Sequence, residues 1–218
     1  MANSSKVARL INASMAIAVA GILSKILGFV RTMAIAAIFG TSAEVDAFVV
    51  AQNIPGFIFG LIGAAVGTVV IPLFTRKRVK DGEEEAFRMA GTIWNCLLLL
   101  AVVIVILGEI VMPFLVRLVA PGFKDEVYNC TIILGRIMMP KVIFIGLTGL
   151  AGGMLNSLKV FGLPAFSGSV QNIVIILALF TLGDILGIKG LAFGSLVGMT
   201  FSFIILWYAL KQRGFKAG

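Results

Sequence analysis

The segment SKILGFVRT, residues 24–32, lies in the middle of an apolar run that extends from Leu10 to Gly40. About 20 apolar residues suffice to cross the ~30 Å hydrocarbon layer of a membrane, so this run predicts a transmembrane helix. Lys25 and Arg31 interrupt it, and a cation at the centre of such a helix costs about 2.5–3.5 kcal/mol. We therefore expect both cations to face a partner or a water-filled cavity. The alternative for Arg31 is that its long side chain reaches the headgroups beyond Gly40, whereas Lys25 lies too deep for this.

The composition of the whole chain predicts an all-α, polytopic membrane protein. Of its 218 residues, 60% are hydrophobic and only 13% are charged, and the mean hydropathy is +1.09. Soluble domains are about half apolar, and the apolar runs here are far longer than the ~10-residue strands of a membrane barrel. The net charge of +8 lies mostly in loops and tails. It is not accompanied by a basic aromatic patch, so we expect no nucleic-acid partner.

Six apolar segments predict six transmembrane helices, with a short cytoplasmic tail or the start of a linker at residues 211–218. Each segment holds at least the ~20 residues that a crossing needs, at about 10–39, 44–75, 86–117, 126–155, 163–183 and 189–210. Lys and Arg are distributed unequally between the connections: eleven of the 18 lie on the side of the two termini, three lie on the other side and four lie within spans. By the positive-inside rule, both termini are cytoplasmic.

Proline, glycine and acidic residues predict how these helices end and bend. Pro140 predicts a kink in the fourth span, and Pro55 and Pro72 are expected to interrupt the second. Asp81 is expected to cap the third helix, with Glu84 as its capping-box partner. Three glycines at three- and four-residue spacing predict close helix packing, namely Gly60, Gly63 and Gly67.

Further charged residues lie within or beside the predicted spans, and each has two interpretations. Arg136 and Lys141 flank Pro140, which favours a hydrated interior; alternatively, Arg136 reaches outward and Lys141 pairs with a neighbouring helix. Asp46 opens the second helix, where it either pairs with Arg31 or simply favours the helix N-terminus. Glu109 either pairs with a cation or lies near the outer interface. Uncharged polar residues are better explained by hydrogen bonds between helices than by cargo binding: Ser24, Gln52, Asn53, Asn95, Asn156, Gln171 and Asn172.

The sequence does not support an enzyme. It has no histidine, and it lacks a nucleophile elbow, a phosphate-binding loop and a pair of acids at catalytic spacing within one span. We expect no metal and no cofactor. Several intramembrane cations accompanied by few acids suit an anionic ligand instead, and a phosphate-bearing lipid headgroup is the natural candidate.

Short motifs along nearly the whole chain resemble the MurJ (MviN) lipid II flippase family. Residues 24–31 (SKILGFVR), 38–40 (IFG) and 46–48 (DAF) resemble its N-terminal signature, and Pro55 with Ile71-Pro72 fits its second helix. The later motifs are 120–123 (APGF), 136–140 (RIMMP), 155–156 (LN) and 164–165 (PA). No single motif decides the match, but their order and spacing make it specific.

This resemblance implies one six-helix lobe of a two-lobe exporter of the multidrug/oligosaccharidyl-lipid/polysaccharide superfamily. It implies transport of the undecaprenyl-pyrophosphate-linked peptidoglycan precursor across the bacterial cytoplasmic membrane by alternating access. The expected partners are this lipid-linked pyrophosphate, membrane lipids and a second six-helix lobe, either a further half or another copy. Carried over by position, the family's substrate-binding residues are Lys25, Arg31, Asp46 and Ser24, and we add Arg136 as a candidate.

Three departures leave other functions open. Lys25 stands where the family often has Arg, Thr32 follows the second cation where an acid is common, and residues 57–60 (FIFG) replace a basic pair that many members carry. Another polysaccharide-lipid exporter, or a multidrug exporter of the same superfamily, is therefore an alternative. A membrane scaffold without transport activity is a second alternative, and it predicts that Lys25 and Arg31 are dispensable.

Overall fold

The computed structural model describes residues 2–216, and their side chains except those of residues 2–13, 16, 61, 62 and 65. This part of the chain is built from helices and contains no strand. The helices are α1 (Ala2–Phe39), α2 (Ala43–Ala65), a π-helical segment (Val66–Val70), α3 (Ile71–Asp81), α4 (Glu83–Val119), α5 (Asp125–Met138), α6 (Lys141–Ser157), α7 (Gly162–Leu186) and α8 (Ile188–Lys211).

The helices identify a multi-pass membrane protein, and the prediction of six spans is approximate. Four single helices of the described chain are long and apolar enough to cross a membrane: α4, α7, α8 and the Ile17–Phe39 part of α1. Helices α5 and α6 are long and apolar enough only when taken together, with a bend of 44° between them, and they make a fifth span if this bent pair crosses as one unit. The second predicted span coincides with α2, the π-helical segment and the start of α3. It is not among those four, and three of its side chains lie outside the described residues.

The proline predictions had different outcomes. The kink at Pro140 is confirmed, because α5 ends at Met138 and α6 begins at Lys141. Pro55, in contrast, lies inside α2 without ending it, so this part of the prediction was wrong. Pro72 lies in the first turn of α3, directly after the π-helical segment. Since proline has no N–H and its ring clashes with the carbonyl four residues earlier, a wider turn at this point accommodates it.

The predicted capping box of the third span does not form. Asp81 is the last residue of α3, and its Oδ2 accepts a hydrogen bond from Lys77 Nζ one turn earlier, at 2.8 Å. Gly82, with φ of 93°, stands at the N-cap of α4 without a side-chain cap. The Asp81 carboxylate is thus used within its own helix. This hydrogen bond, together with the charge of the carboxylate, raises the pKa of Lys77 above its ordinary value.

Close packing by glycine occurs in α8 rather than at the glycines singled out in the second span. A Cβ added at Gly190 would collide with the Leu182 backbone, and one at Gly194 with Ala178, both in α7. Gly198, four residues further on, approaches α7 in the same way. Among the described residues, a Cβ added at Gly60 or Gly67 would meet no atom within 4 Å, and one at Gly63 would meet the Phe59 ring of its own helix. Within this part of the chain, the packing prediction was therefore wrong for these three.

Two apolar clusters hold the bundle together. One joins α1, α2, α5, α7 and α8, through residues such as Phe48, Leu134 and Leu191. The larger one joins α2, α3, α4, α6 and α8 and includes Phe215, which is only 1% exposed. The Phe215 ring lies 5.4 Å from the Trp94 ring, centroid to centroid. The chain after α8 therefore turns back onto α4 rather than extending away from the bundle.

Candidate functional site

The two cations of α1 lie in different surroundings. Lys25 is exposed on the surface of the chain, and no hydrogen bond or ion pair of its side chain occurs in the described part of the structure. Arg31 is half-buried. The six-residue separation accounts for the difference, since it turns the two side chains about 120° apart around the helix axis. Only Arg31 enters the contact between α1 and its neighbours.

A side-chain amide of α7 holds Arg31. Arg31 Nη1 donates to Asn172 Oδ1 at 3.1 Å, and Asn172 Nδ2 donates to the Ser24 carbonyl oxygen at 3.0 Å. The amide therefore spans two turns of α1 and uses both of its ends. This is the contact through which the structure brings Ser24 and Arg31 together.

Small residues let α1 and α7 approach closely enough for this bridge. A Cβ added at Gly28 would lie 3.6 Å from Asn172 Nδ2, in ordinary van der Waals contact. A Cβ added at Gly168, one turn before Asn172, would lie 2.8 Å from Ser24 Oγ, which is too close. The side chains of Ser24 and Asn172 therefore fill the space left by a glycine on the opposite helix.

A second cation lies nearby, at the bend between α5 and α6. Lys141 is only 4% exposed, and its Nζ donates to Ser195 Oγ of α8 at 2.8 Å. The alternative in which Lys141 pairs with a neighbouring helix is thus the observed one. Its ammonium lies near enough to Arg31 for the two like charges to interact. Within the described residues, neither cation forms an ion pair with a carboxylate.

The Arg31 guanidinium keeps unused hydrogen-bonding capacity. Its one hydrogen bond to the described residues is the one to Asn172, and its Nε is buried without an acceptor. A buried donor without a partner costs about 1–3 kcal/mol, and more when it is charged. Arg31 and Lys141 are both held by neutral partners, and Arg31 also has a buried donor without an acceptor. An anion would supply both the acceptor and the opposite charge.

The remaining predicted site residues do not join this network. Asp46 is exposed in the first turn of α2, and the described residues contain no ion pair between it and Arg31. Its position agrees with the alternative of a helix N-terminal charge. Arg136 points toward α4, where its Nε lies 3.9 Å from Glu109 Oε2. Glu109 therefore pairs with a cation, which is one of the two interpretations given for it from the sequence.

Phe59 takes part in packing rather than in the polar network. It is 3% exposed, and a Cβ added at Gly146 of α6 would lie 2.6 Å from its ring. Within the segment 57–60, this chain therefore has an aromatic ring buried between α2 and α6.

Two cavities lie at the ends of α4 and do not border Arg31. One, of about 890 Å³, is lined by the first turns of α4 and by residues after α8, including Glu84, Arg88 and Arg213. The other, of about 350 Å³, is lined by residues around the α4–α5 connection, including Arg117 and Lys124. Both are lined by acidic and basic side chains, whereas Arg31 and Lys141 form no ion pair with a carboxylate of the described residues.

Sequence reasoning missed the residues that connect the site. Asn172 was interpreted only as an interhelical hydrogen bonder, Lys141 was left out of the binding set, and Ser195 was not singled out. One signal was available: Gly168 and Asn172 are four residues apart and therefore share a face of α7. Nothing in the sequence indicates that this face meets α1, because that requires knowing which helices are neighbours.

Comparisons with known proteins identify the family of the chain. The sequence profile described as Lipid II flippase MurJ matches residues 35–217. The chain belongs to this family. A probable lipid II flippase MurJ of Rickettsia prowazekii (strain Madrid E) is 33% identical over 165 residues, which cover 74% of this chain and 32% of the relative.

Solved structures extend the comparison to the fold. A lipid II flippase MurJ in an inward closed conformation superimposes with a TM-score of 0.78 at 28% identity, covering 90% of this chain and 42% of that one. A MATE transporter in complex with MaL6 superimposes with a TM-score of 0.72 at 20% identity, covering 94% of this chain and 46% of that one. The second likeness concerns the fold alone. The chain spans about a third of the length of the curated relatives it matches.

Proposed function

We propose that this chain is one lobe of a flippase that moves lipid II, the undecaprenyl-pyrophosphate-linked peptidoglycan precursor, across the bacterial cytoplasmic membrane. The observation that carries the proposal is that a neutral amide holds Arg31, that no carboxylate of the described residues pairs with it, and that its Nε is buried without an acceptor. A pyrophosphate supplies the missing acceptors and the opposite charge. Membership of the lipid II flippase MurJ family supports lipid II as the source of that anion.

In this mechanism, Arg31 binds the pyrophosphate, because its guanidinium matches phosphate oxygens through two parallel N–H donors. Lys25, exposed one and a half turns earlier, contacts the same headgroup from the cavity side. Ser24 and Asp46 complete the set from α1 and α2, and Arg136 remains a candidate. The lipid tail stays in the bilayer while the headgroup crosses between two lobes by alternating access.

A second lobe is part of the proposal, because a central cavity needs two walls. It is either a further half of the same protein or another copy of this chain. Both termini are assigned to the cytoplasm by the distribution of Lys and Arg. The same assignment places Glu84 on the cytoplasmic side and Lys124 on the opposite side.

Multidrug export by the same fold is the alternative, and the charges near Arg31 argue against it. A site for cationic drugs requires acidic side chains in the cavity. In the described residues of this chain, Arg31 bonds to the neutral Asn172, Lys141 bonds to the neutral Ser195, and neither pairs with an acid. The third possibility, a scaffold without transport, is separated from the proposal by the variants below.

Complementation tests the proposed function. A bacterium depleted of its own flippase is supplied with this chain joined to the remaining part of a relative, and growth is scored. We expect rescue by the wild-type chain and loss of rescue by Lys25→Ala and by Arg31→Ala at normal membrane levels. Lys80→Ala, which removes an exposed cation of α3, is the matched control and should rescue fully. Rescue by both α1 variants would reject headgroup binding by these cations.

A further inference from the structure

The bridge between α1 and α7 has an orientation that only an amide provides. Asn172 accepts from a cation with Oδ1 and donates to a carbonyl with Nδ2. Turning the amide over would place its NH₂ against the guanidinium and its oxygen against the Ser24 carbonyl, and both contacts would be repulsive. A carboxylate cannot donate to that carbonyl, and an aliphatic side chain can make neither bond.

The Arg31 guanidinium needs this hydrogen bond to hold its position, for two reasons. No carboxylate of the described residues forms an ion pair with it, so no opposite charge fixes its position. The arginine side chain also loses up to about 2 kcal/mol of rotamer entropy when it is fixed in one conformation. A neutral acceptor fixes the guanidinium without cancelling its charge, and it leaves the other donors, including the buried Nε, for a ligand.

We propose that Asn172 is a positioning residue for anion binding: it orients Arg31 toward the phosphate groups of a lipid-linked substrate while preserving the positive charge of the site. This inference rests on the proposed function and adds a residue to it. Asn172 acts through Arg31 and is not required to touch the substrate. Its amide must therefore matter for binding only when Arg31 is present.

A double-mutant cycle tests this statement. The purified chain is placed in lipid nanodiscs, and its affinity for undecaprenyl pyrophosphate is measured for the wild type, Arg31→Ala, Asn172→Leu and the double variant. Leucine matches asparagine in shape and removes both hydrogen bonds. We expect about tenfold weaker binding for each single variant, the effect of losing one hydrogen bond to a charged group. The double variant should bind no more weakly than Arg31→Ala.

A second variant separates positioning from helix packing. Asn172→Asp keeps an acceptor for the Arg31 guanidinium. Because this acceptor is a carboxylate, the contact becomes an ion pair that neutralises the cation. We expect Asn172→Asp to bind undecaprenyl pyrophosphate as weakly as Arg31→Ala, with thermal stability no lower than that of Asn172→Leu, because the ion pair to Arg31 remains. Asn156→Asp adds the same charge at an exposed position at the end of α6 and should leave the affinity unchanged.

The outcomes distinguish this inference from the proposed function. Wild-type affinity in Asn172→Leu, or losses that add in the double variant, would overturn the positioning role while Arg31 remains a binding residue. Wild-type affinity in Asn172→Asp would overturn it as well. A wild-type chain with no more affinity than Arg31→Ala would overturn the proposed function, and the inference with it.

Discussion

At the scale of single residues, the molecule stabilises buried cations with neutral groups. Arg31 bonds to an amide and Lys141 to a hydroxyl, where ion pairs would be the usual solution for buried charge. The sequence indicated that cations lie inside the membrane, and it offered the correct alternative for Lys141. It did not reveal the neutral partners. Asn172 and Ser195 lie far along the chain from Arg31 and Lys141, and other spans also contain polar residues that could serve as acceptors.

The hydrogen bond between Lys141 and Ser195 gives a test of this arrangement. Ser195→Ala leaves a buried ammonium without its acceptor, at a cost of about 1.5–3 kcal/mol. Ser202→Ala is the matched control in the same helix, because the buried Ser202 Oγ donates to the neutral Ser167 carbonyl. Its loss should cost about 0.6 kcal/mol, the average for hydrogen bonds between membrane helices. Thermal unfolding in detergent measures both.

Lys141→Met completes this experiment. It removes the charge and keeps the length of the side chain, so Ser195→Ala should no longer lower the unfolding temperature in this background. Replacing a buried charge by an apolar side chain is often neutral or stabilising. Equal destabilisation by Ser195→Ala and Ser202→Ala would show that Lys141 does not depend on its hydroxyl partner.

At the scale of helices, the sequence predicted interruptions better than packing. The break at Pro140 follows from the missing N–H and ring clash of proline and needs no knowledge of neighbours. The glycine prediction failed because the spacing of glycines shows that they share one face of a helix but not which neighbouring helix packs against that face. In the described residues, Gly60 of α2 and Gly67 of the π-helical segment face open space, whereas Gly190, Gly194 and Gly198 face α7. The cap at Asp81 failed because Lys77 engages its carboxylate.

A pair of glycine substitutions tests the packing of α7 on α8. Gly194→Ala forces the two helices apart at Ala178, and we expect a loss of about 1–3 kcal/mol, as is typical of overpacking. Gly60→Ala, within α2 and in open space, should leave stability unchanged or raise it by up to about 1 kcal/mol through helix propensity. Unfolding by denaturant measures the difference. Equal effects of the two substitutions would show that α8 does not rely on this close approach.

At the scale of the whole molecule, composition was sufficient to establish an all-α membrane protein. Helix bounds agreed to within a few residues in the fourth to sixth predicted spans, because turns and charges mark their ends. The course of the second span was not predictable, since the π-helical segment before Pro72 has no signature in the sequence. The grouping of Arg31, Asn172, Lys141 and Ser195 depends on four helices meeting, and periodicity along one chain does not contain that information.

The proposed orientation is testable with single cysteines. In a variant without Cys96 and Cys130, Glu84→Cys and Lys124→Cys place a thiol on opposite predicted sides of the membrane. A membrane-impermeant thiol reagent added to intact cells should label the Lys124→Cys variant, and the Glu84→Cys variant should react only after the membrane is opened. The reverse pattern would invert the assignment and place both termini outside the cytoplasm.

The central claim is that buried cations are kept in this bundle because they bind a pyrophosphate. Binding of undecaprenyl pyrophosphate and of undecaprenol, which lacks the charged headgroup, to the nanodisc-embedded chain tests it most directly. We predict that the pyrophosphate lipid binds at least about tenfold more tightly, because one charge-assisted hydrogen bond contributes about that much affinity. We also predict that Arg31→Ala loses this preference. Equal affinity for the two lipids, or a preference that survives Arg31→Ala, would contradict the account.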